Sequence, residues 1–311
     1  VVILNFQHLK QQTLPPVNVV VPLYRTALNP DEWLSLERCF AVLGGYPITF
    51  VIPEGLDMTP VMMRFPSCRI ESFDPSFFAG RYGYNHLMLS AEFYRRFLNW
   101  EYILIYQTDA FVFRDELAQW CARGYDYIGA PWPSRPLYAN PVYKVCSRLK
   151  SLLSGKNHYQ RHIVRNKVGN GGLSLRRTGT IYRLLTDHAD RVAYYKERVA
   201  ESRYYEDVFF AVEAPKLEPN FSIPPVEVAA HFSFDTYPWL CYQLNGGHVP
   251  FGCHGFNRRR RARFWNPIIA ASMGAGQAAL HQGENSDFHS SRIGLHNRMV
   301  RRLLCFFRLG T

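Results

Sequence analysis

The chain has 311 residues, of which 47% are apolar and 20% charged, and its 36 lysines and arginines against 25 acidic residues give a formal net charge of +11. This balance is typical of a packed globular protein and excludes a wholly disordered chain. The longest apolar stretches, such as Tyr102–Tyr106, are far shorter than the roughly 18 residues that would span a bilayer. No signal peptide is evident, and an anchor upstream of Val1 stays open.

The cysteines indicate a reducing compartment. There are seven of them, an odd number, and no two stand in a CxxC pair. This argues against a disulfide framework and against a structural zinc site. We therefore expect a cytoplasmic protein.

Strands and helices alternate over the first 130 residues. A β-branched run predicts a buried strand at Val17–Leu23, and helically spaced apolar residues predict a helix over 30–43 that stops at two glycines. The other elements predicted here are a strand at 48–52, a helix at 84–100, a strand at 102–106, a helix at 117–123 and a strand at 125–129. The alternation predicts an α/β fold with a Rossmann-like, mostly parallel central sheet and helices on both faces.

The second half of the sequence is less regular. Residues 136–167 are basic and lack a periodic pattern, which indicates an insertion or a loop on the acceptor side. The elements predicted after it are a strand at 172–175, a long helix at 178–200 and a last strand at 226–234, and we expect residues 270–282 to be loose. We divide the chain into a main domain, residues 1–266, and a basic C-terminal extension, residues 267–311.

An acid follows the strand at 102–106. Asp109 lies just past its carboxyl end, where ligands bind in open α/β sheets. A carboxylate there can ligate a hard divalent cation that also holds a diphosphate. The alternative is an Asp that caps a turn.

Three later segments carry further candidate residues. The glycines of Gly169–Gly172 allow close approach of the backbone to a ligand, although a hairpin turn has the same composition. One of the adjacent acids Glu206 and Asp207 could act as a general base against an apolar wall, or both could cap a helix. His254 is flanked by glycines, which suits a ligand contact, and the alternative is a packed or surface histidine.

In their order along the chain, these segments resemble glycosyltransferases of the A-type fold. The nearest resemblance is to an uncharacterised microbial family of glycosyltransferase-like domains of unknown function. It covers roughly residues 17–256. The motifs that carry it are YNHLMLSAEFYRRF (84–97), EYILIYQTDAFVF (101–113), YDYIGAPW (125–132), GNGGLSLRR (169–177), YEDVFF (205–210) and FGCHGF (251–256).

The resemblance implies a transferase, of hexosyltransferase type, with residues 1–266 as its catalytic domain. It would move a sugar from a nucleotide-sugar donor, above all a UDP-sugar, to a hydroxyl of a carbohydrate or lipid-linked acceptor, with Mn²⁺ or Mg²⁺ as cofactor. Such enzymes usually carry an Asp-x-Asp metal motif, of which only Asp109 is present here, since Gln107 and Phe111 stand two positions away. His254 would supply the second metal ligand.

The resemblance also implies roles for other residues. Asp207, with Glu206 as the next candidate, would deprotonate the acceptor hydroxyl, so that the anomeric centre is inverted. The residues expected to border the donor, besides Asp109, are Tyr24, Arg25, Tyr84, Asn85, Trp132, Gly171 and Gly172.

Two other classes of function stay open at this point. A non-catalytic carbohydrate-binding or scaffold module on the same fold is the first, favoured by the missing second Asp. A nucleic-acid binder is the second, and it is disfavoured because the arginines lack interleaved aromatic residues in a recognised module.

Two arginine blocks, at 258–263 and 292–308, lie beside bulky apolar residues. A basic face of this kind suits the surface of an anionic membrane, and an enzyme of polysaccharide or glycoconjugate synthesis could dock there at the cytoplasmic face. A solvated helix packed on the domain is the plain alternative, and a clamp for the donor diphosphate is a third reading of the first block.

Overall fold

The computed structural model describes residues 16–134 and 163–280, the last six of these without their side chains. Its strands are β1 (Val17–Pro22), β2 (Ile48–Pro53), β3 (Arg69–Phe73), β4 (Tyr102–Tyr106), β5 (Ala110–Val112), β6 (Tyr127–Ile128), β7 (Pro131–Trp132), β8 (Lys167–Val168), β9 (Leu173–Arg177), β10 (Ser233–Phe234) and β11 (Gly252–His254).

The central sheet has six strands in the order β3-β2-β1-β4-β9-β6. Strands β1 to β4 run parallel, β9 runs antiparallel to β4, and β6 runs antiparallel to β9. The predicted α/β fold with a mostly parallel sheet is confirmed. The chain order reverses between β1 and β4, so a crevice opens beyond the carboxyl ends of these two strands.

Two small sheets complete the strand topology. Strands β10, β11 and β5 form one of them, in which β11 is antiparallel to β5 and His254 lies opposite Ala110. Strands β7 and β8 form the other. The first small sheet matters for function because it brings residue 254 beside the turn that follows β4.

The helices are α1 (Pro30–Leu43), α2 (Thr59–Met62), α3 (Gly80–Met88), α4 (Ala91–Arg95), α5 (Leu117–Ala122), α6 (Thr178–Asp187), α7 (Ala189–Glu197), α8 (Glu206–Val208), α9 (Ala214–Leu217), α10 (Val226–Phe232), α11 (Pro238–Leu244) and α12 (Arg259–Leu280). A π-helical turn, Phe209–Glu213, joins α8 to α9, and two 3₁₀ turns lie at Pro75–Phe78 and Ser202–Tyr204. Helix α1 begins at a capping box in which Asn29 and Glu32 each accept the other's backbone N–H.

Both faces of the central sheet are covered. Val19 and Val21 of β1 point into a core shared with α1, α5 and α10, whereas Val20 points into a core shared with α3, α4 and α6. This alternation follows from the two-residue period of a strand. A third core, around Phe111 and Trp265, lies between the small sheet β10-β11-β5 and helices α11 and α12.

Several predicted elements differ from the structure. The predicted strand 226–234 is wrong over most of its length: residues 226–232 form α10, with Pro225 at its N-cap, and only two residues of strand follow. The predicted helix 84–100 is two helices, because Ser90 is extended, and the predicted helix 178–200 is interrupted at His188. Residues 270–280, expected to be loose, continue α12.

Some expectations concern residues that the structure does not describe. Those for residues 136–162 and for the basic segment 292–308 lie outside the described residues. Helix α12 runs through the division proposed at residue 266, and Ile268 and Ile269 beyond it are buried in the third core. None of the helices in the described part of the chain combines the length and the apolarity that a bilayer crossing requires.

Candidate active site

Three side chains from two strand ends meet at the crevice beside β4. Gln107 and Asp109 belong to the turn between β4 and β5, and His254 ends β11. Nε2 of His254 lies 2.9 Å from Oδ1 of Asp109 and 3.0 Å from Oε1 of Gln107. The backbone fixes this arrangement, because the N–H of Gly255 donates to the carbonyl of Asp109 at 2.8 Å.

The other nitrogen of His254 faces a buried acid that the sequence analysis did not select. Nδ1 lies 3.3 Å from Oδ1 of Asp235, which follows β10 and is also ion-paired to Arg261. A carboxylate on Nδ1 fixes the orientation of the ring and leaves Nε2 to point into the crevice, as in many metal sites. Burial alone would lower the pKa of His254, but Asp109 and Asp235 outweigh it and raise the pKa to about 9.

Asp109 is held as a carboxylate. Burial favours its neutral form, but His254 and Arg258 outweigh that effect and keep the pKa of Asp109 well below its usual range. Nη2 of Arg258 lies 3.3 Å from Oδ2 of Asp109, and the Arg258 side chain is 61% exposed. The guanidinium is therefore a surface group that can leave Asp109 at small cost.

A second charged group lies behind the glycine segment. Arg176 of β9 is fully buried, and its Nη2 donates to Oε2 of Glu206 at 2.9 Å. Its other donors reach the hydroxyls of Ser174 at 3.0 Å and Tyr94 at 2.7 Å. Burial raises the pKa of Glu206 while Arg176 opposes the rise. Because Arg176 is permanently charged and buried beside it, Glu206 is committed to this ion pair.

Asp207 is the more available of the two adjacent acids. It is partly exposed, and its Oδ1 accepts the backbone N–H of Val208 at 2.8 Å. Burial and the charge of Glu206 raise the pKa of Asp207 to about 7, with a further contribution from Asp235. A carboxyl group with a pKa near neutrality is suited to exchange a proton with a ligand.

Gly171 and Gly172 pack directly against the side chains of Glu206 and His254. A side chain at Gly172 would overlap the imidazole of His254, and one at Gly171 would overlap the carboxylate of Glu206. Gly172 also accepts the backbone N–H of Gln107 at 2.9 Å. Close packing against these protein side chains therefore requires both glycines, and their predicted approach to a ligand stays a prediction.

The other residues that were predicted to border the nucleotide-sugar donor occupy different environments. Asn85 is buried, and its amide joins the N–H of Glu206 to the carbonyl of Arg81, so it positions Glu206. Tyr84 packs beside it, and burial and the charge of Glu206 raise the pKa of its phenol.

Three further predicted residues have local contacts of their own. Tyr24 is exposed just beyond β1, and Arg25 donates to Glu32 at 2.8 Å in the capping box of α1. Trp132 lies over Gly169, whose added Cβ would overlap the indole. The structure therefore brings Asp109 and His254 into contact, and holds Tyr24 and Arg25 by local interactions of their own.

Sequence reasoning missed three contributing side chains. Gln107 was noted only as a departure from an acidic motif, although its amide oxygen reaches the same point as Asp109. Asp235 carried a weak signal, because it directly follows Phe234 at the end of the predicted last strand. Arg176 carried none, because an arginine in GNGGLSLRR reads as a surface residue, and only the fold shows that it is buried.

The donor atoms at His254 are of the kinds that ligate a divalent cation, once the cation has displaced the proton that the raised pKa keeps on the imidazole. In the described part of the chain, no three His, Cys, Asp or Glu side chains form a cluster that could hold a metal ion. Asp235 approaches the opposite nitrogen of His254, so the set on the crevice side is one carboxylate, one imidazole and the amide oxygen of Gln107. Oxygen and imidazole donors of this kind suit Mn²⁺, and Mg²⁺ is satisfied by the oxygens together with water and phosphate.

Comparison with known proteins places the chain in a family. The sequence model of a family described as a protein of unknown function, DUF5672, matches residues 67–254, more than half of the chain. The chain belongs to this family. The matched span contains Asp109, Asp207 and His254. No curated protein matches the sequence.

Solved structures resemble the chain in fold. An active-site mutant of LgtC is 14% identical, with a TM-score of 0.50, over 83% of this chain and 95% of that one. The galactosyltransferase LgtC in complex with donor and acceptor sugar analogues is 15% identical over the same shares, with a TM-score of 0.47. Mouse xyloside xylosyltransferase 1, in its apo form, is 11% identical over 78% of this chain and 98% of that one, with a TM-score of 0.44. The likeness to the LgtC mutant, at a TM-score of 0.50, confirms the predicted glycosyltransferase A-type fold.

Proposed function

We propose that the chain is a glycosyltransferase that moves a sugar from a nucleotide-sugar donor, a UDP-hexose in the first instance, to a hydroxyl acceptor. The observation that carries the proposal is the convergence of Gln107, Asp109 and His254 beyond the carboxyl ends of β1 and β4. On this fold, that crevice is where a nucleotide would bind.

A divalent cation, Mn²⁺ or Mg²⁺, would be held by Asp109 and His254, with Gln107 as a third donor. Bound there, it would act as a Lewis acid that neutralises charge on the departing diphosphate. Asp235 keeps Nδ1 of His254 occupied, so that Nε2 is directed to the crevice. Arg258, released from Asp109, would be free to pair with a phosphate oxygen instead.

Asp207 is the proposed base. Its carboxylate takes the proton from the acceptor hydroxyl as the acceptor oxygen bonds to the anomeric carbon, and the bond from that carbon to the diphosphate oxygen breaks with its electron pair on the diphosphate. Direct attack of this kind inverts the anomeric centre. Glu206 is assigned to positioning, because Arg176 holds its carboxylate.

One observation favours a non-catalytic sugar-binding module instead. Asp109 already has two cationic partners within the protein, His254 and Arg258, and an amide stands where the second acid of the motif would be. On this alternative the cluster is a structural ion pair, and neither a cation nor turnover is required.

The proposal is tested by a thermal-shift screen of UDP-hexoses with and without MnCl₂. Donor at a hundredfold excess over its Kd stabilises the folded state by about 2.7 kcal/mol, which corresponds to about 4 °C for a chain of this length. Asp109→Asn should abolish the Mn²⁺-dependent part of this shift. Asp187→Asn, which changes an exposed carboxylate on α6, is the matched control. An equal shift in parent and Asp109→Asn would remove Asp109 from the donor site.

A further inference from the structure

A second concave surface lies at the start of α12. It is a pocket of about 520 Å³ lined by Trp239 of α11 and by Arg259, Arg260 and Arg263 of α12. Volumes of about 300–1,000 Å³ are typical of small-molecule sites. The pocket therefore has room for a mono- or disaccharide.

The arginine block is divided between two faces of α12. Arg258 and Arg261, three residues apart, contact Asp109 and Asp235 on the side of the crevice. At about 100° per residue, Arg259, Arg260 and Arg263 fall on the other side of the helix. The pocket is thus separate from the site of Asp109, with the body of the helix between them.

The pocket arginines have no acidic partners. Among the described residues, no carboxylate lies within ion-pair distance of Arg259, Arg260 or Arg263, and all three are exposed. Three unneutralised guanidinium groups around one concavity attract an anion, and their planar donors match the oxygens of a phosphate.

An aromatic ring forms the remaining wall. Trp239 is 45% exposed, whereas Trp120 and Trp265 are buried. Its ring lies edge-on to that of Tyr237, with 5.9 Å between the centroids. Tyr237 has a φ of 57°, a conformation that bulky residues rarely adopt, and it immediately precedes α11. The exposed indole offers an apolar surface on which the C–H face of a sugar can pack.

The apolar neighbours of the block are not available for membrane insertion. Phe264 is 8% exposed and Trp265 is fully buried, and both belong to the third core. A membrane-docking face needs bulky apolar side chains that point outward beside the arginines. Phe264 and Trp265 therefore do not form part of a membrane-docking face, and the bulky apolar side chain that lines the pocket with the arginines is Trp239.

We propose that this pocket binds a phosphorylated sugar, with the phosphate on Arg259, Arg260 and Arg263 and the sugar ring on Trp239. The site is distinct from the proposed donor site, and its occupancy does not depend on Asp109.

The test is calorimetric titration of the full chain with glucose 6-phosphate, glucose and inorganic phosphate. We expect the parent to bind glucose 6-phosphate at least tenfold more tightly than either other probe, with an affinity that falls as salt is added. Arg259→Gln combined with Arg263→Gln should weaken this binding at least tenfold. Trp239→Ala should reduce the affinity for glucose 6-phosphate to that for inorganic phosphate.

Two matched variants separate this pocket from the crevice. Arg258→Gln, at the residue just before α12 that points to the crevice, and Asp109→Asn should both leave the affinity for glucose 6-phosphate unchanged. The two proposals can therefore fail separately. A negative UDP-hexose screen would not affect the glucose 6-phosphate result, and a negative glucose 6-phosphate titration would not affect the UDP-hexose screen.

Three outcomes would overturn the proposal. The first is no binding of glucose 6-phosphate, or binding that the double arginine variant does not change. The second is equal affinity for glucose 6-phosphate and inorganic phosphate, unaffected by Trp239→Ala, because the site would then recognise an anion alone. The third is co-sedimentation with phosphatidylglycerol vesicles that the double variant abolishes and glucose 6-phosphate does not compete with, since the basic face would then be a membrane surface.

Discussion

A single methyl group added at Gly172 should disable the proposed cation site. The Cβ of an alanine there would lie 2.6 Å from Cε1 of His254 and closer still to two other ring atoms. Ordinary carbon contacts begin near 3.4 Å, so the imidazole must retreat by about 1 Å. Asp235 contacts Nδ1, and the pairing of β11 with β5 fixes the backbone of His254, so the ring can yield only by turning. Such a turn separates Nε2 from Asp109 and Gln107. A misplacement of about 1 Å can cost a factor of about 10² in turnover.

The assay is titration with MnCl₂ alongside turnover of the donor. Gly172→Ala should weaken Mn²⁺ binding by about 10- to 100-fold. Gly179→Ala is the control, because an added Cβ at that position of α6 meets nothing within 4 Å. If Gly172→Ala is folded, by its unfolding midpoint, and binds Mn²⁺ as the parent does, then His254 does not ligate the cation and the assignment is refuted.

The remaining predictions concern Asp207 and the buried ion pair. Asp207→Asn should lower turnover by a factor on the order of 10²–10⁴ and leave donor affinity unchanged, and a loss of donor affinity alone would contradict the base role. Because the pKa of Asp207 is raised to about 7, the base is protonated below that pH. The value of kcat/KM should therefore fall at least tenfold per pH unit below 7, and a flat profile from pH 5 to 8 would contradict this. Arg176→Met leaves Glu206 buried without its partner, so urea unfolding should show a loss of about 3–5 kcal/mol that Glu206→Gln partly restores, whereas a loss below about 1 kcal/mol would mean that the pair contributes little.

Local patterns in the sequence predicted the first half of the fold well. The strands at 17–22, 48–53 and 102–106 and helix α1 are where the β-branched runs and the helical spacing put them. Those signals depend on near neighbours in the chain. The region 226–234 misled the pattern because Val226 and Val228 favour a strand, whereas Ala229 and Phe232, one helical turn apart, pack together against the core as part of α10.

The candidate site was predictable only in part. Asp109 could be selected because a strand end precedes it, and His254 because glycines flank it, but their contact depends on the pairing of β11 with β5 across more than 140 residues. Asp235 and Arg176 act through burial, which no local pattern reports. Gln107 was missed because an amide is an uncommon member of this kind of donor set.

The arginine block shows the same limit. From the sequence, residues 258–263 form one basic stretch with several candidate partners. The start of α12 then divides it, because helical geometry sends Arg258 and Arg261 to the crevice and the other arginines to the pocket at Trp239. Charge alone predicted an anionic partner, whereas the helix phase and the burial of Phe264 and Trp265 can be seen only in the structure.

The central claim, transfer of a sugar from a nucleotide donor, is tested most directly by following release of UDP. The chain is incubated with a panel of UDP-hexoses, simple glycoside acceptors and MnCl₂, and the product's anomeric configuration is determined by NMR. We predict UDP release that EDTA and Asp109→Asn abolish, with an inverted product. Folded protein that releases no UDP from any donor in the panel, with Mn²⁺ or Mg²⁺ present, would contradict the account and favour the non-catalytic module.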